Sequence, residues 1–363
     1  MLDFRLDEEQ KMLSDTIHRF AEERVRKVFR HADEDGKIPA DVIKAGWEIG
    51  VLPSFIPETY GGFGEPSAVT AAIAYEQFAY GDLAAALNIL APSAVAMAVL
   101  RAGTEAQKEA HLPLFCEDKL PKIAAALTEP SILYDPFDLK TTATPDGDEV
   151  ILHGVKSVVP LADQADTFLV YVNEGGRTQA YFIPAGTPGL TIGERDKLMG
   201  IRALPTFKLH LDNVSVPAEN RLGGADGINF STLLNYSRVA MGALAVGMAR
   251  AGYEYARDYA KQRVQFGEPI AHRQSIAFML AEMAIDIDGA RMMVWEAAWM
   301  LDQGQEATQA VTVMKHYVDE MVMTVADRAL QTLGGYGYIR EYPVELWFRN
   351  ARGFATFDGL ASA

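Results

Sequence analysis

The sequence predicts a mainly α protein with a central β domain. Three observations carry that expectation. Apolar residues recur at helical spacing up to about residue 122 and again from residue 225. Between these regions, short β-branched and aromatic runs alternate with Gly, Pro and Asn turns. The 363 residues are 49% hydrophobic and 23% charged, enough for a large core spread over more than one domain. The expected division is an N-terminal helical domain over 1–122, a small antiparallel β domain over 123–224 and a C-terminal helical bundle over 225–363.

In the first region, "EEQKMLSDTIHRFAEERV" places Leu13, Ile17, Phe20, Ala21 and Val25 on one face. "GGFGEPS" interrupts, and an Ala-rich stretch from Ala68 to Ala102 follows. It is apolar nearly all round, so it reads as a buried helix pair. The β region opens on "PDGDEVILHGVKSVV", where Pro145, Asp146 and Gly147 supply turn chemistry. "DTFLVYV", "QAYFIPA", "GLTIG" and "FKLHLDNVSVP" continue it. Three long helices are expected after residue 225, the first closed by Phe266, Gly267 and Pro269 and the third by Gly334 and Gly335.

Charge narrows the partners. The net charge is -16 and no long basic run is present, which argues against nucleic acid and anionic membranes. The one cysteine, Cys116, forbids a disulfide within the chain and fits a cytoplasmic setting. "LPLFCEDKL" reads as a packed helix end, and no catalytic thiolate is expected there. No apolar stretch is long enough to span a bilayer.

Common catalytic motifs are missing: no G-x-S-x-G, no Walker A loop, no H-E-x-x-H. Seven scattered histidines give no zinc pattern, so no metal is expected. "GGYGY" at 334–338 follows a helix, which excludes a Rossmann fingerprint.

The phrases at the joints carry more. "PETYGGFG", "GTEAQKEAHLP", "LTEP", "LDNVSVPAENRLG", "QRVQFGEPI" and "LGGYGYIREYPVE" occur in this order along almost the whole chain. Together they resemble the acyl-CoA dehydrogenases. The resemblance implies FAD as cofactor, an acyl-CoA thioester as substrate and α,β-desaturation as the reaction. It also implies electron-transfer flavoprotein as the acceptor, and a homo-oligomer or a hetero-oligomer with a related subunit. A base must remove a weakly acidic α-proton while enolate-like charge on the thioester oxygen is stabilised.

By the same resemblance, Arg263, Phe266, Gln331 and Gly335 reach the FAD pyrophosphate and adenosine of a neighbouring subunit. Arginine suits a two-point phosphate contact, and glycine permits close approach. Thr128 would face the flavin ring. The ring wall departs from the family pattern. In "TEPSILYD", Leu133 and Tyr134 replace Gly-Ser, and in "KSVVP", Val158 and Pro160 stand for the flavin-facing Trp and Thr. Arg238 matches an arginine near the acyl end of the pocket. Asp358, in "FDGL", aligns with the family's catalytic glutamate, one methylene shorter and so about 1.5 Å less in reach. Ser237 occupies the alternative glutamate position and is no base by itself.

Three readings stay open on the sequence. The first is an acyl-CoA dehydrogenase with Asp358 as base, in fatty-acid or steroid side-chain metabolism. The second is a non-catalytic or half-active subunit of a hetero-oligomer. The third is another flavin oxidation on the same fold, such as nitroalkane oxidation.

Overall fold

The computed structural model describes residues 5–363. Helices α1 (Glu8–Phe20) and α2 (Arg26–Asp35) run on through a π-helical turn, and α3 (Ala40–Trp47) follows. Asp7 starts α1 with a capping box: its side chain accepts the Gln10 amide while Gln10 reaches back.

The Ala-rich stretch forms three helices where the sequence suggests a pair: α4 (Ala68–Gly81), α5 (Leu83–Leu90) and α6 (Ser93–Ala102). The extra break lies at Asp82, which leaves α4 in an extended conformation and caps α5 through the Ala85 amide. Ala91 and Pro92 make the other break. Helix α7 (Glu105–His111) then leads to a 3-10 turn ending at Cys116, which is half-buried. Burial pushes the Cys116 thiol upward, away from thiolate chemistry.

The β domain holds β1 (Ile123–Ala126), β2 (Thr142–Asp146), β3 (Glu149–Pro160), β4 (Thr167–Glu174), β5 (Arg177–Pro184), β6 (Leu190–Arg195) and β7 (Thr206–Pro217). The order is β1-β4-β2-β3-β7-β6, with β5 beside β4. Most pairs are antiparallel, as expected. Two are parallel, β1 with all four of its residues on β4, and β2 with β4 at Thr142 and Asn173. Strand β3 is bulged between Lys156 and Val159 where it pairs with β7. Val158 lies in that bulge at φ 54°, an outlier for a β-branched residue.

The C-terminal bundle comprises α8 (Phe230–Gln262), α9 (Gln274–Asp302), α10 (Thr308–Leu333) and the shorter α11 (Val344–Ala351). A small hairpin, β8 (Val264–Gln265) and β9 (Glu268–Pro269), separates α8 from α9. Helices α4 and α8 cross so closely at Gly247 that a Cβ there would fall 2.0 Å from the Glu76 carbonyl. Beside the crossing, buried Glu76 takes Arg250 at 2.6 Å and Arg291 at 3.0 Å, which ties α4, α8 and α9 together. No single helix among the described residues is long and apolar enough to cross a membrane.

Candidate active site

Asp358 sits on the turn after a short 3-10 stretch, Phe354–Thr356. Gly359 makes the turn with φ 80°, and a Cβ there would lie 2.9 Å from the Leu127 Cβ. Only glycine meets both demands. The turn is pinned from two domains. Thr128 Oγ1, just past β1, donates to the Asp358 carbonyl at 3.2 Å. From α8, Ser237 Oγ accepts the Gly359 amide at 3.1 Å. The next residue, Arg238, reaches the carboxylate at two points, Nε to Oδ1 at 3.4 Å and Nη2 to Oδ2 at 3.2 Å. The Asp358 side chain is only 11% exposed, so it is no solvated turn residue.

A further support lies on α10. Lys315 Nζ donates to the Phe354 carbonyl at 3.0 Å and grips both oxygens of Asp319, at 2.8 and 2.6 Å. Burial pushes the Asp319 carboxyl upward, Lys315 pulls it back, and the Asp358 charge adds a smaller upward push. Asp319 is thus a second carboxylate close to Asp358. Its oxygens are already committed to Lys315.

Tyr134 completes the cluster. Its hydroxyl is buried beside Thr128 and meets no partner in full hydrogen-bond geometry. Burial first, and then the Asp358 charge, push the phenol well above its ordinary range, so it remains a neutral donor. Below Thr128, Glu129 and Lys156 form a buried pair at 2.8 Å. Burial opposes the Glu129 charge, but Lys156, with the Thr141 and Lys140 contacts, holds its carboxyl below the ordinary value. That pair fixes the "TEP" segment to β3.

A small apolar cavity adjoins the turn. Ala98, Leu127, Leu233, Ser237, Gly359 and Ala361 are among its walls. It holds about 20 Å³, room for one water. The segment after Gly359 fills the space beyond. Leu360, Ala361, Ser362 and Ala363 are all buried. Tyr75 donates to the Ser362 carbonyl at 2.8 Å, and the Ser362 amide donates to Ser93 Oγ at 3.2 Å.

The other expected site residues gather elsewhere. Arg263, Gln331 and Gly335 line one cleft of about 620 Å³, with Tyr259, Gly334 and Tyr336. Arg263 ends α8 with its guanidinium carbon 5.3 Å from the Tyr336 ring centre. Phe266 is not in the lining. It stands on the β8–β9 turn at φ 55°, 92% exposed. Thr128, Arg238 and Asp358 therefore form one cluster, while Arg263, Gln331 and Gly335 form another.

Three family profiles match the chain in tandem: acyl-CoA dehydrogenase N-terminal domain over residues 7–119, middle domain over 124–214 and C-terminal domain over 226–361. The chain belongs to the acyl-CoA dehydrogenase family. It is a flavoprotein oxidoreductase with FAD as its cofactor. A probable acyl-CoA dehydrogenase of Bacillus subtilis, YngJ, is 35% identical over 361 residues, 97% of this chain and 94% of the relative. The CarC subunit of the caffeyl-CoA reductase-Etf complex of Acetobacterium woodii is 32% identical, over 98% and 95%. The solved butyryl-CoA dehydrogenase of Megasphaera elsdenii superimposes with a TM-score of 0.89 at 32% identity, over 99% and 96%.

The residues of the chain suit FAD at two places. In the Arg263 cleft, an added Cβ at Gly334 or Gly335 would meet nothing within 4 Å. Arg263 takes part in no ion pair among the described residues. An unpaired guanidinium beside open backbone suits a pyrophosphate. Beside Asp358, the Tyr134 hydroxyl lacks a partner in full hydrogen-bond geometry, and on β3 Val158 holds a strained φ of 54°. Both parts fit the cofactor.

Proposed function

We propose that this chain dehydrogenates an acyl-CoA thioester at its α,β bond, with Asp358 as the base. The supporting observation is the carboxylate itself. It is buried, fixed on a turn between the β domain and α8, and held at two points by Arg238.

In this reading each residue has a task. Thr128, Ser237 and Gly359 set the backbone of the turn, so the carboxylate's position is settled before substrate arrives. Arg238 neutralises Asp358 in the resting site, and one carboxylate oxygen must leave it to accept the α-proton. Contact of roughly 2.6–3.2 Å, or one bridging water, is then needed. The apolar cavity walls exclude water from the carbanion-like centre. Thr128 and Tyr134 would hold the flavin side of the site, and Arg263, Gln331 and Gly335 the nucleotide side. Bound FAD supplies the two-electron acceptor. Electron-transfer flavoprotein is the proposed next carrier, in line with the Etf complex to which CarC belongs, and the cytoplasm is the proposed setting.

Among the described residues no hydrogen bond or ion pair joins the two clusters, and in this reading a second copy or a related subunit would bring its own Arg263 cleft to this Asp358. Phe266, exposed on its turn, would face that neighbour. A flavin-loaded monomer of 39.8 kDa in light scattering contradicts this arrangement.

Anaerobic bleaching of the purified yellow protein by a panel of acyl-CoA thioesters tests the function. Bleaching by at least one thioester is expected. Bleaching only by a nitroalkane, or only after a partner chain is added, replaces the proposal with one of the other two readings.

A further inference from the structure

Tyr134 is a large residue at a position where the family resemblance places serine. Its ring packs against the apolar cluster that contains Tyr171, Phe230, Leu233 and Leu234, four residues that also wall the cavity beside Asp358. Its loop is anchored on both sides. Ser131 Oγ accepts the Leu133 amide, Asp135 accepts the Phe137 amide, and Thr178 donates to the Pro136 carbonyl at 2.8 Å. Yet Ile132 and Leu133 next to it are exposed to solvent. The loop therefore buries the phenol in preference to its two aliphatic neighbours.

That choice is costly in the resting chain, because the buried hydroxyl meets no partner in full hydrogen-bond geometry: Thr128, beside it, gives its own proton to the Asp358 carbonyl. The carboxylates around it are engaged with cations and backbone amides. Both Asp358 oxygens face Arg238. Both Glu129 oxygens are taken by Lys156 and the Thr141 and Lys140 amides. An unmet donor beside a candidate base calls for an acceptor brought in from outside.

We propose that Tyr134 contacts the ligand, donating its phenolic hydrogen bond to a carbonyl oxygen that gains negative charge during the reaction. Two groups have that chemistry, the thioester oxygen of the substrate and a ring carbonyl of the flavin. The proposal rests on the dehydrogenase reading for the first group and on FAD binding alone for the second. Tyr134 thereby restores a donor where the wall has lost others, since Val158 and Pro160 offer no side-chain hydrogen bond.

Tyr134→Phe removes one oxygen and keeps the ring. The holoprotein is compared with the parent in three measurements. With FAD removed, its melting temperature should stay level or rise, because a buried hydroxyl without a well-placed partner is gone. If the substrate oxygen is the acceptor, flavin reduction should slow by about 10²–10³-fold with little change in KM. If the flavin carbonyl is the acceptor, the visible flavin band should shift and the Kd for FAD should rise about tenfold. The last measurement needs no turnover, so it decides on Tyr134 even if no acyl-CoA bleaches the parent. An unchanged band, unchanged FAD affinity and unchanged reduction rate overturn the proposal. A raised melting temperature alone would mark Tyr134 as packing.

Discussion

Arg238 and Asp358 meet in a two-point ion pair across the seam between α8 and the C-terminal turn, with contacts of 3.4 and 3.2 Å. Both are largely withdrawn from solvent, at 22% and 11% exposure. Such a pair is costly to break from one side, because the remaining charge keeps its burial and loses its partner. Arg238→Gln should therefore destabilise the fold, by about 1–3 kcal/mol given the residual exposure. Chemical denaturation of the mutant and parent reads this. An unchanged midpoint would mean that the pair is solvent-screened and holds nothing.

Arg263 should matter to cofactor and little to fold. It pairs with no carboxylate among the described residues and lines the open cleft with Gly335. Arg263→Ala should weaken FAD retention by about 1.5–3 kcal/mol, the worth of a charge-assisted phosphate contact. Dialysis followed by flavin absorbance measures it. Full retention would make Arg263 an ordinary helix-end charge.

The sequence exposed much of this site only through the family phrases. Asp358, Arg238 and Thr128 are legible that way, and the structure brings them together. Ser237 is visible as a failed base; its service as acceptor for the Gly359 amide depends on how α8 passes the turn. Lys315 and Asp319 look like an ordinary i,i+4 surface pair. Only the packing of α10 under Phe354 turns them inward. Tyr134 was legible as a departure from the family pattern, and its unmet hydroxyl was not. In the fold, helical spacing marks the long helices well. The break at Asp82 had a signal in its capping residue type, but the surrounding apolar run masks it. The parallel pairing of β1 with β4 joins segments with some forty residues between them, which no local pattern encodes.

Asp82 gives the fold a pH dependence of known sign. It is buried, and burial pushes its carboxyl up to about 6 against the Ala85 amide, with the Asp33 charge adding a smaller push. A group raised in the folded state favours folding below its unfolded value, near 3.9, and loses that contribution as pH rises through about 6. Asp82→Asn keeps a capping side chain without the charge. It should raise stability at pH 7.5 by roughly 2–3 kcal/mol at most, with the gain vanishing near pH 4. Melting curves at the two pH values check this. Equal effects at both would place the Asp82 charge in water.

The central claim is that Asp358 takes the α-proton. Asp358→Asn preserves the side-chain shape and should leave FAD bound, since the Arg263 cleft stands apart. An amide cannot accept the proton. Stopped-flow reduction of the bound flavin, with whichever acyl-CoA bleaches the parent, should slow by about 10²–10⁴-fold. If the Asn variant reduces its flavin as fast as the parent, Asp358 is only a buried turn residue and the base lies on another group or another chain.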